Sequence, residues 1–303
     1  MELFEVSSDS TCDIKKEERE KRRIWFAPLT FTMEKDGQLE EGLDDFSTEE
    51  EYIRFYRRVS AGEFPRTAKL NYDAHIAHFT KMAEAGTRSV IHFMISSGLA
   101  NTIEITRQAA NDIKEKYPDF QVYPLDPLSA TAGQGMLVRL AADCRDKAWS
   151  VEETYAYLQE ARHRMQHCII PNDLFYLKKG GRVSTVSAAF GTMLQIKPLI
   201  VFDEQGKLCV TEKVKGMKKA FSRIIEHINH APMDELKYVS VVHTNNPQGA
   251  AELAKLIHET TGVMPEVTIM GPVIGAHVGP GSVSCGWIST KTRKQLQSEL
   301  YGE

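Results

Sequence analysis

The sequence lacks the long hydrophobic runs of a membrane protein, because no stretch of about 18 apolar residues occurs among its 303 residues. Its N-terminus, Met-Glu-Leu-Phe-Glu, has neither the basic segment nor the long apolar segment of a signal peptide. Cysteine is scarce as well, with five scattered residues and no CxxC pair. We therefore expect a cytoplasmic protein with reduced thiols and no integral membrane association.

Familiar catalytic motifs are also absent. The sequence contains no Walker-type phosphate loop, no GxSxG nucleophile elbow and no HExxH zinc motif, and no GxGxxG pattern follows a predicted strand. His163 and His167 have the spacing of neighbours on one helix face, but no third metal ligand accompanies them. We therefore expect no catalytic residues, no metal site and no cofactor in this chain.

The charge distribution is uneven. A net charge of −4 argues against nucleic acid as the principal partner. Residues 178–219 nevertheless hold nine Lys or Arg against three Asp or Glu, a local excess of +6. Such a segment can attract an acidic partner or a phosphate, or it can be a solvated face. A nucleic-acid role for it is disfavoured, because no stripe of alternating aromatic and basic residues accompanies it.

Strand-like and helix-like segments alternate along the chain. The predicted strands are residues 4–7, 24–32, 89–95, 121–125, 199–202, 208–212, 238–242, 267–270 and 283–289. The predicted helices are residues 48–61, 72–85, 103–117, 130–147, 151–167, 218–230 and 247–261. Predicted capping boxes, Thr48-x-x-Glu51 and Ser150-x-x-Glu153, begin the first and the fifth of them. This order predicts an α/β fold with largely parallel sheets. Two adjacent helices between 130 and 167 interrupt the alternation, so we expect a domain boundary near residues 165–170.

Three predicted strands run into loops of small hydroxylated or glycine-rich residues, where open α/β sheets bind ligands. The loops contain Ser10, the sequence Ser96-Ser97-Gly98, and the segment 271–281. The last of these surrounds His277 with four glycines and two prolines. This composition predicts a stiff, close-fitting loop whose imidazole can donate a hydrogen bond to an anion. The alternative is a surface turn in which the histidine is incidental. For Ser96 and Ser97, a role as a helix N-cap stays open.

Two further segments carry candidate binding groups. Thr67 precedes a predicted helix and either donates a hydroxyl hydrogen bond to a ligand or forms a turn. Residues 173–184 place Lys178, Lys179 and Arg182 around a double glycine, from which a guanidinium can grip a planar anion. The apolar segment 186–198 that follows suits either a pocket wall or ordinary core.

Together these segments resemble the DegV family, the fatty-acid-binding proteins that serve as the lipid-carrying subunit of bacterial fatty acid kinase. The matching segments, in family order, are Ser8-Asp9-Ser10-Thr11, Ser96-Ser97-Gly98-Leu99, Asp173-Leu174 with Leu177-Lys178-Lys179-Gly180-Gly181-Arg182, and Gly271-Pro272-Val273-Ile274-Gly275-Ala276-His277-Val278-Gly279-Pro280-Gly281. They span nearly the whole chain, and the last two are specific to the family.

The resemblance implies two α/β domains, residues 1–167 and 168–303, with a long-chain fatty acid buried in a cavity between them. It implies that the carboxylate is held by Thr67, Ser97 and His277. The supporting loop residues would be Ser10, Ser96, Gly98, Gly275 and Ala276, and the surface that meets the kinase subunit would include Lys178, Lys179 and Arg182. The kinase would use ATP to convert the presented carboxylate to an acyl phosphate, so this chain would be a binding subunit rather than an enzyme.

The chain departs from the family pattern at two places beside the implied carboxylate site. The family usually has Thr-Ser-Gln-Pro where this chain has Thr67-Ala68-Lys69-Leu70, and Leu-Ser-Gly-Thr where it has Leu99-Ala100-Asn101-Thr102. The three implied carboxylate ligands are retained, whereas the hydrogen bonds that support them are changed. Lys69 either adds positive charge near the carboxylate or points to solvent.

An acyl hydrolase is the alternative function, with Ser97 as nucleophile and His277 as general base. Two features of the sequence count against it. No nucleophile elbow is present, and no acidic residue is clearly placed to orient His277.

Overall fold

The computed structural model describes residues 4–35, 37–182 and 196–302. Its strands are β1 (Glu5–Asp9), β2 (Ile24–Ala27), β3 (Thr30–Lys35), β4 (Gln38–Leu43), β5 (Arg66–Ala68), β6 (Ser89–Phe93), β7 (Gln121–Leu125), β8 (Met165–Ile170), β9 (Ile196–Phe202), β10 (Leu208–Lys215), β11 (Val239–His243), β12 (Glu266–Ile269) and β13 (Val283–Ile288). Its helices are α1 (Lys16–Lys21), α2 (Glu49–Ser60), α3 (Tyr72–Glu84), α4 (Ile103–Lys116), α5 (Ala132–Asp146), α6 (Val151–Arg164), α7 (Phe175–Lys179), α8 (Met217–His230), α9 (Pro247–Thr261), α10 (Pro272–Val278) and α11 (Arg293–Tyr301). None of the helices in the described ranges is long and apolar enough to cross a membrane.

The first sheet has four parallel strands in the order β2-β1-β6-β7. Its central strand β6 is a buried run, Val90-Ile91-His92-Phe93, as expected when both faces of a parallel sheet are covered. The carboxyl ends of β1 and β6 therefore emerge side by side. They deliver the loops that contain Ser10 and Ser96 to the same edge of the sheet.

The second sheet has the order β10-β9-β8-β13-β11-β12. Its pairs are antiparallel except for β11 with β12. The α/β class and the parallel first sheet are thus confirmed, whereas this sheet differs from the expected parallel pairing. Part of the reason is the connection between β9 and β10, since residues 203–207 are too few for the crossover that parallel strands need.

Helix α5 lies between the two larger sheets and contacts β1 and β6 of one and β8, β11 and β13 of the other. Nearly all of its side chains are buried, from Ala132 to Arg145. Its many small and apolar residues pack on both sides, and a large core cluster of buried residues forms around it. The two sheets consequently share one core at this position.

Several boundaries differ from the sequence prediction for local reasons. The predicted strand 24–32 divides into β2 and β3 around Pro28, which cannot donate to a ladder. Strand β4 carries little apolar alternation because most of its residues are exposed, and β5 has only three residues. Helix α6 ends at Arg164 rather than 167, and β8 begins at once. The capping boxes of α2 and α6 are confirmed.

The division into domains 1–167 and 168–303 remains a prediction. The strands of the first sheet all precede residue 126, and those of the second begin at Met165. We propose to place the boundary just before Met165, because a boundary after 167 would divide β8.

Candidate functional site

A cavity of about 390 Å³ is lined by residues of the second sheet, of the loop that follows β6 of the first sheet, of β5 and of α10. Its apolar wall includes Ile95 and Leu99 after β6, Ile169 of β8, Phe202 of β9, Leu208 of β10 and Ile274 of α10. No Asp or Glu is found among the described residues that line it. The cavity is therefore suited to an apolar ligand.

Polar side chains also line this cavity, and among the described ones all but the buried Thr131 are at least partly exposed. Thr67 of β5 and His277 of α10 both line it, and the Thr67 hydroxyl oxygen lies 2.9 Å from Nε2 of His277. Lys69 and Arg182 line the cavity as well, and both side chains are exposed. The cavity thus has a polar mouth, defined here as Thr67, Lys69, Arg182 and His277.

The imidazole of His277 is uncharged at neutral pH. Burial, and secondarily the positive charge of Arg182, lower its pKa to about 4. Its Nδ1 is buried without a hydrogen-bond partner among the described residues, and the Gly180 backbone packs closely against it. A methyl group on Gly180 would come within 2.4 Å of Nδ1, so the double glycine of the basic motif lets the chain approach the ring.

His277 lies on a helix, not in the loop that its glycines and prolines suggested. Pro272 occupies the first turn of α10, where its missing N–H is harmless. Gly275 packs against Tyr56, whose hydroxyl donates to the carbonyl oxygen of Met270 over 2.7 Å. A methyl group on Gly275 would lie 2.1 Å from that hydroxyl oxygen. Ala276 is fully buried in the same cluster, so these two residues fix the position of α10.

In the Ser96-Ser97-Gly98 loop, the described hydrogen bonds join protein groups to one another. Ser97 is half-buried, its backbone N–H donates to Asp126 over 3.3 Å, and it is not among the described residues that line the cavity. Ser96 donates its hydroxyl to the carbonyl oxygen of Gly206 over 2.8 Å and accepts the Gly98 N–H. Gly98 is needed because a methyl group there would come within 2.4 Å of the Gly206 backbone. This loop fastens the edge of the first sheet to the β9–β10 turn.

Buried aspartates position the other loops, and the sequence analysis did not select them as site residues. Asp9 accepts the Ile95 N–H over 2.8 Å as well as hydrogen bonds from Thr11 and Gln134. Asp13 accepts the Gly271 N–H over 2.8 Å at the start of α10, and burial raises its pKa to about 7. The Ser8-Asp9-Ser10-Thr11 motif, which contains Asp9, is the sequence feature that could have indicated this supporting position.

Ser10 belongs to the same support. Its hydroxyl donates to Asp44 over 2.9 Å and accepts the Leu29 N–H over 3.1 Å. The side chain is buried and directed at protein groups, which agrees with a supporting position.

The basic motif lies beside the mouth. Lys178 and Lys179 are exposed, and Nζ of Lys179 lies 3.9 Å from the centre of the Phe64 ring. Arg182 donates to the Gly180 carbonyl oxygen. It also lines the cavity, so its position is not confined to the outer surface. Of the apolar segment 186–198, for which a pocket wall and ordinary core were the alternatives, residues 186–195 lie outside the described residues.

The geometry does not favour the hydrolase. Among the described residues, Nε2 of His277 pairs with Thr67 rather than with Ser97, and no carboxyl group orients Nδ1. In the same part of the chain, no group of three or more His, Cys, Asp or Glu side chains is placed to hold a metal ion.

A family model described as "Uncharacterised protein, DegV family" matches residues 4–290. The chain belongs to the DegV family. A DegV domain-containing protein of Streptococcus pyogenes serotype M3, SPs1668, is 30% identical to it over 296 residues, which cover 96% of this chain and 99% of that protein.

Solved structures of DegV-family relatives agree with this assignment. The DegV lipid binding protein tm1468 of Thermotoga maritima superposes with a TM-score of 0.82 and 27% identity, covering 96% of this chain and all of that one. Protein TM841 of the same organism, described as having a fatty acid binding function, superposes with a TM-score of 0.81 and 28% identity over 95% of this chain and all of that one. The α/β architecture predicted for this DegV-family chain is therefore confirmed.

Proposed function

We propose that this chain binds a long-chain fatty acid, with the tail in the cavity and the carboxylate at the polar mouth. The observation that carries the proposal is the lining of the cavity, whose described wall is mostly apolar but includes the hydrogen-bonded Thr67–His277 pair and two exposed cations. Each methylene that enters contributes about 0.8 kcal/mol. The carboxylate loses several kcal/mol on leaving water unless it is paired and hydrogen-bonded. The mouth supplies donors and positive charge for that purpose.

The experiment measures acid binding to delipidated protein by calorimetry. We expect Thr67→Ala and His277→Ala each to weaken binding about tenfold or more, since a hydrogen bond to a charged group contributes roughly 1.5–3 kcal/mol. His258→Ala is the matched control, because His258 is exposed on α9, away from the cavity. Unchanged affinity in both mouth variants would remove the carboxylate assignment.

Ser97 remains a proposed third ligand and is measured in the same series. Ser97 is half-buried in the loop after β6 and is not among the described residues that line the cavity. It can therefore contact the carboxylate only if this loop shifts. Ser97→Ala should weaken binding as much as Thr67→Ala if that shift occurs. An effect no larger than that of the control would assign Ser97 to loop structure alone.

We further propose that the bound carboxylate is presented to a separate ATP-dependent fatty acid kinase, which transfers the γ-phosphoryl group of ATP to a carboxylate oxygen and releases ADP. The support is the position of the mouth, whose cations are exposed and adjoin Lys178 and Lys179. On this view the chain is a cytoplasmic binding subunit in bacterial phospholipid metabolism. Acyl phosphate formed from the loaded chain, ATP and a kinase subunit is the product to measure.

A further inference from the structure

The two segments in which this chain departs from the family pattern meet across the mouth of the cavity. Nζ of Lys69 donates to the carbonyl oxygen of Asn101 over 2.8 Å. Lys69 follows β5, and Asn101 lies in the loop between β6 and α4. A side chain from one departure is therefore held by the backbone of the other, next to the residues proposed to bind the carboxylate.

Lys69 is also placed to reach the carboxylate position. It is two residues from Thr67, and both residues line the cavity. Because β5 is paired with β3 through Phe31↔Thr67 and Thr30↔Ala68, the start of this segment is fixed against the small sheet.

The mouth needs a cation, and His277 does not provide it. At neutral pH the imidazole is uncharged, because burial lowers its pKa to about 4. The Thr67 hydroxyl is neutral too. Among the described residues that line the cavity, the positive charges are those of Lys69 and Arg182. Arg182 donates to Gly180 on the side of the basic motif, whereas Lys69 extends from the strand that carries Thr67.

The present partner of Lys69 is replaceable. A carbonyl oxygen is a neutral acceptor, and a charge-assisted bond to a carboxylate is roughly twice as strong as a neutral one. The lysine side chain has a flexible four-carbon stem, so its ammonium group can turn from one acceptor to another. When a carboxylate enters the mouth, the ammonium group exchanges its hydrogen bond to the Asn101 carbonyl oxygen for a stronger one to the carboxylate.

We infer that Lys69 is the charge partner of the bound carboxylate and makes this mouth select anionic over neutral head groups. The inference rests on the proposed binding of a fatty acid. Lys69 moves from the Asn101 carbonyl to the ligand, while Thr67 and His277 supply the neutral hydrogen bonds.

The test compares two ligands of equal chain length, a saturated fatty acid and the corresponding primary alcohol, on delipidated protein. Lys69→Met keeps the apolar stem and removes the charge, and Lys69→Arg keeps the charge. We expect Lys69→Met to weaken the acid about tenfold and the alcohol less than about twofold. Lys69→Arg should recover most of the acid affinity. Raising the salt concentration should weaken acid binding more in the wild type than in Lys69→Met, because the removed interaction is partly exposed.

Lys114→Met is the control, since Lys114 is exposed on α4 and does not line the cavity. It should change neither ligand. Equal weakening of acid and alcohol by Lys69→Met would mean that Lys69 only holds the mouth together, and it would overturn the inference. Undiminished acid binding would overturn it as well. If the wild type bound neither ligand, the proposed function itself would fail, and this inference with it.

Discussion

The length of the acyl chain that the cavity accepts should change when one wall residue is enlarged. Ile274 lines the cavity from α10, three residues before His277, and its side chain is 7% exposed. Ile274→Phe adds three carbon atoms to this wall. The longest acid that the cavity of about 390 Å³ accepts is first found by titrating the wild type with acids of increasing chain length.

The expected magnitude follows from the carbons that the phenyl ring displaces. Three displaced methylenes at about 0.8 kcal/mol each correspond to about 2.4 kcal/mol, or roughly fifty-fold weaker binding of an acid that fills the cavity. The longest acid that the wild type accepts should show this loss, and an acid about three carbons shorter should bind the variant nearly as well as the wild type.

Calorimetric titration of both acids against both proteins gives the four affinities that are needed. Thermal unfolding of the variant checks that overpacking has not disturbed the fold, since added carbons in a filled core cost about 1–3 kcal/mol. The shorter acid is the internal control, because it needs no space near the new ring. Equal weakening of both acids would refute the reasoning, and so would undiminished binding of the longer acid.

Two other predictions concern the kinase surface and acid stability. Arg182→Ala should weaken acid binding less than about threefold, because Arg182 is exposed and already donates to the Gly180 carbonyl oxygen. It should reduce acyl phosphate formation with a kinase about tenfold, because rim charges act mainly on association; a tenfold loss of acid binding would instead make Arg182 a partner of the carboxylate. His78 is half-buried, and desolvation lowers its pKa to about 4, so its contribution to stability should decrease as the pH falls from about 6.5 towards 4, where the unfolded chain binds a proton that the folded chain does not. His78→Gln should flatten that slope by about 1.4 kcal/mol per pH unit, measured by denaturant unfolding, and parallel curves for the two proteins would contradict it.

The parts of the fold that the sequence predicts are those with strong local signals. The capping boxes at Thr48 and Ser150 mark the starts of α2 and α6 correctly. The continuous apolar runs mark the central strands. Strand β4 was missed because its residues are mostly exposed, and β8 because its Met-Gln-His-Cys start continues a helix-like pattern. Antiparallel pairing in the second sheet depends on which strands meet in space, and this is not encoded in any one segment.

The candidate site was predictable in its residue types but less so in its contacts. The glycine and proline content around His277 indicates close packing, and the structure places that packing on a short helix that begins at Pro272. The pairing of Thr67 with His277 joins residues 210 positions apart. The contact between Lys69 and Asn101 is equally non-local in origin, since it depends on two loops that different strands deliver. No spacing rule within either segment could have indicated it.

A neutral histidine at the mouth suits a protein that must release its ligand. Burial keeps His277 uncharged, so the charges at the mouth are exposed ones that water and salt screen. The head group then contributes a few kcal/mol, while a sixteen-carbon tail contributes at most roughly 12 kcal/mol before entropic losses. Affinity should therefore depend mainly on chain length. A change at Lys69 should weaken acids of every length by the same factor, whereas Ile274→Phe should change the length at which affinity stops increasing. The two kinds of variant thus separate recognition of the head group from accommodation of the tail.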